Sequence, residues 1–284
     1  MINDSELILN ADGSIYHLNL KPEDIADTII FVGDPDRVPE VSKYFDDIEI
    51  RKGKREFITH TGHVNGKRLT VISTGIGTDN IDIVLNELDA LLNFDFETRN
   101  LKSEIKSLDI IRIGTSGSIQ GNIAMGTILA SEFAIGFDTL MQYYQKPYTA
   151  KETEIQKAVI EKFHDLTFKP YVAHASERLL KQFAHDIPKG VTMTAPGFYG
   201  PQGRNLRSQN TYPQLIKQAN TFQVNGYQIT NLEMETAGIY ALSNMLGHHA
   251  ISINAILASR VNETFASNPK EIVDKAIRMV LERL

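Results

Sequence analysis

Thr28-Ile29-Ile30-Phe31-Val32-Gly33-Asp34-Pro35-Asp36-Arg37 is the stretch that decides the fold class. The apolar run is typical of a strand buried on both faces, and it ends in a glycine turn that carries an arginine. Gly33 lets backbone N–H groups approach a ligand closely, and the Arg37 guanidinium offers a planar fork that matches phosphate oxygens. Strand-to-turn junctions of every kind contain Gly, Asp and Pro, so this stretch alone is a weak signal for an anion site.

The same pattern recurs at two other places in the chain. Residues 109–117 read DIIRIGTSG, with Arg112 inside the apolar run, and residues 69–77 read LTVISTGIG. Both runs end in glycine and hydroxyl residues, as the first one does. Because ligands of α/β sheets bind at the carboxyl ends of the strands, the recurrence predicts an anion-binding site at that edge of the sheet.

Strands and helices alternate along the chain. We predict strands at 28–32, 68–73, 110–113, 127–133, 191–194, 228–232 and 250–257, and helices at 38–44, 81–92, 151–166, 177–185, 234–246 and 270–284. Helix 81–92 repeats its apolar residues with a period of about 3.6, which indicates one buried face. Segments 93–108 and 143–150 are predicted to be surface excursions. Near-continuous apolar strands between such helices predict an α/β fold whose sheet is covered on both faces, in a single domain over residues 1–284.

Composition excludes several classes of function. The formal net charge is -6, which argues against nucleic acid or an anionic membrane as a general partner. The chain has no cysteine, which excludes disulfides and thiolate chemistry and agrees with a cytoplasmic location. Residues 1–10 lack the pattern of a signal peptide, and no apolar stretch approaches membrane-spanning length.

A loop rich in glycine and proline carries the residue types that recognise a flat polar ring. Residues 194–204 read TAPGFYGPQGR. The ring of Phe198 or Tyr199 would pack against the face of a base, while Gln202 donates and accepts and Arg204 donates to a carbonyl. The same composition is typical of a surface loop, so both interpretations remain open at this point.

Residues 231–238 place two carboxylates at a junction between a strand and a helix. Glu233 and Glu235 flank Met234. Carboxylates at a helix N-terminus are favoured by its dipole, which is one explanation. The other is that one carboxylate accepts hydrogen bonds from sugar hydroxyls while the thioether packs on the sugar ring.

Taken in order, these motifs resemble the nucleoside phosphorylases of the uridine phosphorylase and purine nucleoside phosphorylase superfamily. The resemblance extends over nearly the whole chain and rests on His17 and on segments 33–37, 55–57, 73–77, 112–117, 198–204 and 233–235. The family catalyses reversible phosphorolysis of a nucleoside to a free base and ribose 1-phosphate. The resemblance implies a pentosyltransferase with a three-layer α/β/α sandwich around a central mixed sheet. It implies small-molecule substrates and no cofactor, since inorganic phosphate is a co-substrate.

The resemblance also implies roles for individual residues. Phosphate would be bound by Gly33, Arg37, Arg112 and Thr115, with Arg55 from a neighbouring subunit. Two residues supplied by a neighbour would require a homo-oligomer, either a dimer or a hexamer built as a trimer of dimers. The second of these residues is His17, which would bond the 5′-hydroxyl of the ribose.

The remaining roles concern the sugar and the base. Ribose would be held by Met234 and Glu235, with Glu233 nearby, and the base by Phe198, Gln202, Arg204 and Arg260. The catalytic groups would be Arg112, Arg204, Gln202 and Glu235. Fixed donors such as Arg204 would absorb the negative charge that develops on the departing base.

Arg260 bears on which nucleoside is cleaved. Family members that act on 6-oxopurines commonly have an aspartate at this place, where it protonates the base. An arginine is no proton donor at neutral pH, but it stabilises charge on a pyrimidine carbonyl. We therefore expect uridine as the substrate, with deoxyuridine and thymidine as further candidates. The alternatives are a purine nucleoside phosphorylase, a nucleosidase and a non-catalytic nucleoside-binding relative.

We expect no metal cofactor. Bacterial uridine phosphorylases can hold a monovalent cation between subunits through a glutamate that matches Glu56 and a serine after the Gly-Ile-Gly turn. Asn80 stands at the serine's place here. A monovalent cation near Glu56 therefore remains an open alternative.

Overall fold

The computed structural model describes residues 2–284. This part of the chain contains seven α-helices, α1 Arg37–Ser42, α2 Thr78–Asn93, α3 Ala150–Lys162, α4 Glu177–Phe183, α5 Leu215–Asn220, α6 Thr236–Leu246 and α7 Pro269–Glu282. Its strands are β1 Thr28–Val32, β2 Asp47–Lys54, β3 Phe57–Val64, β4 Lys67–Ser73, β5 Phe94–Asp95, β6 Asn100–Leu101, β7 Asp109–Ser118, β8 Ile128–Gly136, β9 Tyr171–His174, β10 Lys189–Thr194, β11 Gln223–Val224, β12 Tyr227–Glu233, β13 His249–Ser259 and β14 Thr264–Phe265.

All strands except β5 and β6 belong to one mixed sheet. Its order is β11-β12-β10-β8-β13-β7-β1-β4-β3-β2, with β9 paired to β8 and β14 paired to β13. Strands β4, β1, β7 and β13 run parallel in the middle, and β3 and β2 continue the sheet as an antiparallel hairpin. A further pairing joins β12 to β7, so that β7, β13, β8, β10 and β12 close into a small barrel.

Strand β1 shows how the layers form. Its side chains alternate between the two faces of the sheet because successive residues of a strand point in opposite directions. Ile29 and Phe31 pack with α2 and α6, whereas Ile30 and Val32 pack with α1, α4 and α7. Helices therefore cover both faces of the sheet, and the predicted α/β fold with a central mixed sheet is confirmed.

The predicted elements differ from the observed ones mainly at their ends. β7 continues four residues past Gly114 instead of ending at residue 113, because pairing with β13 extends through the glycine segment. Helix α6 begins at Thr236, two residues later than predicted. The hairpin of β2 and β3 was not predicted, since the alternately exposed β2 reads DIEIRKGK and has few apolar residues. Segment 93–108 holds the short β5–β6 hairpin. Among residues 2–284, no helix is both long and apolar enough to span a bilayer.

A buried ion cluster joins the start of α3 to β9. Glu152, whose side chain is 1% exposed, lies 3.0 Å from Lys146 Nζ and 3.0 Å from His174 Nδ1 through Oε1. Its Oε2 accepts a 2.8 Å hydrogen bond from the Thr149 N–H in the capping box of α3. Burial opposes the charge, but the hydrogen bonds from His174, Thr149 and Lys146 outweigh it and lower the pKa of Glu152 to about 2.

Replacing Glu152 by glutamine is therefore expected to destabilise the fold by about 3–5 kcal/mol near neutral pH, because Lys146 keeps a buried charge without its partner. The pKa of Glu152 lies below its ordinary 4.5, so its stabilisation is complete above that pH and is lost as the pH falls towards 2. Urea unfolding of wild type and E152Q should give curves that converge at low pH. E161Q, on the exposed side of the same helix, is the control. A difference in the free energy of unfolding between E152Q and wild type that stayed constant at every pH would contradict the lowered pKa of Glu152.

Candidate active site

A cavity of about 1180 Å³ opens at the carboxyl ends of the central strands. It is bordered by the segments that follow β1, β4 and β12, by the second halves of β7 and β13, and by the loop after β10. Eleven of the predicted site residues line it, namely Gly33, Arg37, Arg112, Thr115, Phe198, Gln202, Arg204, Glu233, Met234, Glu235 and Arg260. His17 and Arg55 are not part of its wall.

Arg112 lines the cavity and lies between two carboxylates. Its Nη2 is 2.5 Å from Glu235 Oε2 and 3.1 Å from Glu233 Oε2, and all three side chains are buried. Burial alone would lower the pKa of Arg112, but the two negative charges outweigh burial and raise it. The guanidinium is therefore a permanent cation held in a fixed position.

Gly114 makes room for this guanidinium. A Cβ atom at residue 114 would lie 1.7 Å from Nη1 and 2.3 Å from Cζ of Arg112. No side chain larger than hydrogen fits there while Arg112 keeps its position. Gly114 is thus needed to leave room for the Arg112 guanidinium.

The two carboxylates have different surroundings. Glu233 accepts hydrogen bonds from the Glu235 N–H at 2.9 Å, the Thr236 N–H at 2.9 Å and the Thr194 hydroxyl at 2.7 Å. Its oxygens therefore accept from the N–H groups at the start of α6, as the helix-terminus interpretation predicts. Glu235 accepts the Gly77 N–H at 2.9 Å through Oε1 and contacts Arg112 through Oε2. Burial raises the pKa of Glu235. The charge of Arg112 lowers this pKa and the charge of Glu233 raises it, and the net shift is upward.

A second arginine strengthens the positive end of the cavity. Arg37 follows the glycine turn of β1, and its Nη1 donates to the Ile113 carbonyl at 3.4 Å. Burial and the nearby charge of Arg112 lower the pKa of Arg37. Because two cations are held close together beside Gly33 and Thr115, an anion at this place would relieve their repulsion.

Three residues of the loop after β10, Phe198, Gln202 and Arg204, form another part of the cavity wall. Arg204 Nη1 donates to the Phe198 carbonyl and to Gln202 Oε1, both at 2.6 Å, and Arg204 Cζ lies 3.7 Å from the centre of the Phe198 ring. Arg260 approaches from β13 and donates to the Gly203 carbonyl at 3.4 Å. Burial and the charge of Arg260 lower the pKa of Arg204 to about 10, so the group keeps its charge at neutral pH.

His17 is half-buried and Arg55 is exposed, and both lie outside the cavity. His17 Nδ1 is 2.6 Å from Glu87 Oε1, and the same carboxylate accepts the backbone N–H of His17 at 3.0 Å. Lys54, which precedes Arg55 in the β2–β3 turn, places Nζ 4.4 Å from the centre of the Tyr16 ring. The chain next to Arg55 thus contacts the chain next to His17, and the Arg55 side chain is exposed.

The two residues of the predicted cation region lie together. Glu56 and Asn80 both line the cavity beside Gly75. Asn80 Nδ2 donates to the Ile76 carbonyl at 3.5 Å. Asp47, Glu49 and His63 cluster elsewhere, on the exposed β2–β3 hairpin. Glu49 there is already paired with Arg68 at 2.9 Å.

Several cavity and support residues were not predicted from the sequence. Glu263, Thr264 and Phe265 border the mouth of the cavity after β13, and Glu263 has a positive φ of 52°. Gly77 holds Glu235, and Glu87 holds His17. A glycine turn before α2 was visible in the sequence, but no local pattern connects Glu87 to a residue seventy positions earlier.

Comparison with known proteins agrees with this geometry. The chain belongs to the family described as the phosphorylase superfamily, whose model matches residues 27–284. The predicted family is thereby confirmed, and the enzyme is a nucleoside phosphorylase with small-molecule substrates.

Individual relatives fall on the pyrimidine and the purine side of the family. A uridine phosphorylase of Thermococcus kodakarensis is 29% identical over 277 residues, which are 95% of this chain and 88% of that protein. A DeoD-type purine nucleoside phosphorylase of Listeria monocytogenes is 27% identical over 238 residues, 84% of either chain. A solved Trypanosoma brucei nucleoside phosphorylase, described as showing uridine phosphorylase activity, is 31% identical with a TM-score of 0.88 and covers 98% of this chain and 99% of that one.

Proposed function

We propose that the protein is a uridine phosphorylase, which converts uridine and inorganic phosphate reversibly to uracil and ribose 1-phosphate. One observation carries the proposal. A single cavity is lined by Arg37 and Arg112, by the carboxylate of Glu235, and by a second pair of arginines, Arg204 and Arg260. The solved relative of 31% identity, with its uridine phosphorylase activity, supports the same reaction.

The geometry accounts for each part of the reaction. Phosphate held by Arg37 and Arg112 attacks C1′ of the ribose as the C1′–N1 bond breaks, so that one phosphate oxygen forms the new bond. The bonding electron pair leaves with the base, and positive charge develops on the sugar ring, where the phosphate stabilises it. Glu235 would accept the ribose 2′- and 3′-hydroxyls. Holding the reactants in line supplies much of the acceleration.

The base end of the cavity favours a pyrimidine. Arg204 and Gln202 donate to the carbonyls on which the negative charge of departing uracil is delocalised, and a proton from water then neutralises the base. Arg260 stands near, and it cannot protonate a purine as a carboxylic acid would. Deoxyuridine and thymidine remain candidate substrates. They lack the 2′-hydroxyl but keep the 3′-hydroxyl, which Glu235 would also bind.

The deciding experiment follows uracil release from uridine by ultraviolet absorbance, with and without inorganic phosphate, and with inosine in parallel. Release that requires phosphate is expected. Release without phosphate would identify a nucleosidase, and cleavage of inosine alone would identify a purine nucleoside phosphorylase. Binding of uridine without turnover under any condition would identify a nucleoside-binding relative. Each of these three outcomes would overturn the proposal.

We also propose that the enzyme is a homo-oligomer, a dimer or a hexamer built as a trimer of dimers. His17 and Arg55 do not line the cavity of their own chain. A neighbouring subunit that presents these two residues to the cavity would complete the site. Sedimentation at the assay concentration should show no active monomer. The remaining expectations stay proposals: one domain, no cofactor beyond the co-substrate phosphate, and a cytoplasmic location, which the lack of cysteine supports.

Replacing Glu87 by glutamine should weaken uridine binding through His17. Glu87 fixes the imidazole through Nδ1 and leaves Nε2 for the ribose 5′-hydroxyl. The loss of one such hydrogen bond corresponds to a rise in KM for uridine of about threefold to tenfold. KM for 5′-deoxyuridine, which lacks that hydroxyl, should be the same in E87Q and wild type. Equal changes for both nucleosides would show that Glu87 acts on the fold instead.

A further inference from the structure

The small barrel of β7, β13, β8, β10 and β12 has a polar interior. Its inward side chains include Ser131, Thr192, Asn231, Ser252 and Asn254, all with 0% exposure. A buried polar group without a partner is costly, so an interior of this kind persists only when its members are satisfied and therefore fixed in position.

These side chains form a continuous chain of hydrogen bonds. Asn254 Nδ2 donates to Ser131 Oγ at 2.9 Å, and Ser131 pairs with Thr192 at 2.5 Å. Thr192 donates to Asn231 Oδ1 at 3.0 Å, and Asn231 Nδ2 donates to Ser116 at 2.7 Å. Ser116 lines the cavity. This chain of hydrogen bonds fixes the orientation of the Asn254 amide, with the nitrogen towards Ser131 and the oxygen in the opposite direction.

That oxygen faces Arg112. Strands β7 and β13 are paired so that Arg112 lies beside Ser252 and Gly114 lies beside Asn254. The arginine side chain extends over Gly114, and Nη1 approaches Asn254 Oδ1 at 3.3 Å and Ser252 Oγ at 3.4 Å. The Ser252 hydroxyl also accepts from Thr236 at 3.0 Å. Of the two acceptors near Nη1, the Ser252 hydroxyl is therefore shared with Thr236, whereas the Asn254 oxygen serves Arg112.

We propose that Asn254 is a positioning residue for the phosphate site, and this proposal rests on the proposed phosphorolysis. Glu233 and Glu235 attract the guanidinium of Arg112 from the Nη2 side. Asn254 holds the Nη1 side. Without its oxygen, the guanidinium loses its fixed orientation towards the anion that the two arginines would hold.

Direct binding measurements test this without relying on turnover. We expect Asn254→Leu, which is nearly isosteric but lacks the oxygen, to raise the Kd for inorganic phosphate about tenfold in calorimetry, the effect of one hydrogen bond to a charged group. The Kd for uridine, measured without phosphate, should rise much less than the Kd for phosphate. Asn254→Val is of comparable size, suits a strand and has no hydrogen-bond acceptor. It should show the same effect and keeps the test decisive if the leucine variant does not fold.

Ser118→Ala is the matched control. Ser118 is fully buried on β7, and its hydroxyl donates to the Gln120 carbonyl at 3.0 Å with no link to Arg112. Its Kd for phosphate should equal that of wild type. Unchanged phosphate binding in the Asn254 variants would overturn the proposal, as would equal weakening of both ligands in the Asn254 and Ser118 variants. If wild type binds phosphate but does not cleave uridine, the proposed function fails while the role of Asn254 is still decided by these measurements.

Discussion

Gly114→Ala is expected to lower kcat/KM for phosphorolysis by about 10²-fold, the typical cost of displacing a reacting group's partner by about 1 Å. The added methyl group would lie 1.7 Å from Nη1 of Arg112, so one of the two has to move. The far end of an arginine side chain moves at lower cost than paired strands of a barrel. The variant should therefore fold while its Arg112 leaves the phosphate site, at some cost in stability because the buried ion pairs of Arg112 with Glu233 and Glu235 are disturbed.

Steady-state kinetics with phosphate as the varied substrate, together with thermal unfolding, measure this effect. The loss should be concentrated in kcat/KM for phosphate, and the melting temperature should fall while unfolding stays cooperative. Gly121→Ala is the control, because a methyl group there meets its nearest atoms at 3.9 Å in ordinary contact. A fully active G114A enzyme would show that Arg112 is not needed where the structure places it.

Arg204→Met is expected to lower kcat by about 10²–10³-fold, as the loss of one fixed donor to developing negative charge typically does. Arg204 is held against Phe198 and Gln202 at the end of the cavity that would receive the base. Methionine keeps much of the side-chain length and packing but provides no N–H. The departing uracil then carries its charge with less stabilisation.

A change of leaving group separates this role from binding alone. 5-Fluorouracil is the more stable anion, so the loss in R204M should be smaller with 5-fluorouridine than with uridine. Arg207→Met, an exposed arginine of the same loop, should retain wild-type kcat. An equal loss with both nucleosides would limit Arg204 to ground-state binding.

The local part of the site was predictable from the sequence, because each motif combines a strand end with the residues that follow it. Gly33, Arg37 and Thr115 are examples, and the structure places them together at one edge of the sheet. Glu233 is a partial exception. The sequence left ribose binding and helix capping open, and its oxygens are engaged by the start of α6.

Residues whose role depends on pairing between distant segments were not predictable. Asn254 reaches Arg112 only through the register of β13 against β7, and Glu87 reaches His17 only because α2 packs against the N-terminal segment. A buried asparagine in an apolar run and a glutamate on an amphipathic helix have many ordinary explanations. The β2–β3 hairpin was missed for a related reason, since its stability comes from the sheet that it extends and not from apolar residues of β2.

The closure of β12 onto β7 also affects how the chain resists aggregation. An open sheet ends in strands with unpaired N–H and C=O groups, which recruit strands of other molecules. One end of this sheet folds back on itself, and the other end is β2, where charged residues such as Glu49, Arg51 and Lys52 follow one another closely. Charged edges of this kind discourage strand addition. We therefore expect copies of the enzyme to associate through side chains, and the crowded solution of a cell to leave the sheet edges unpaired.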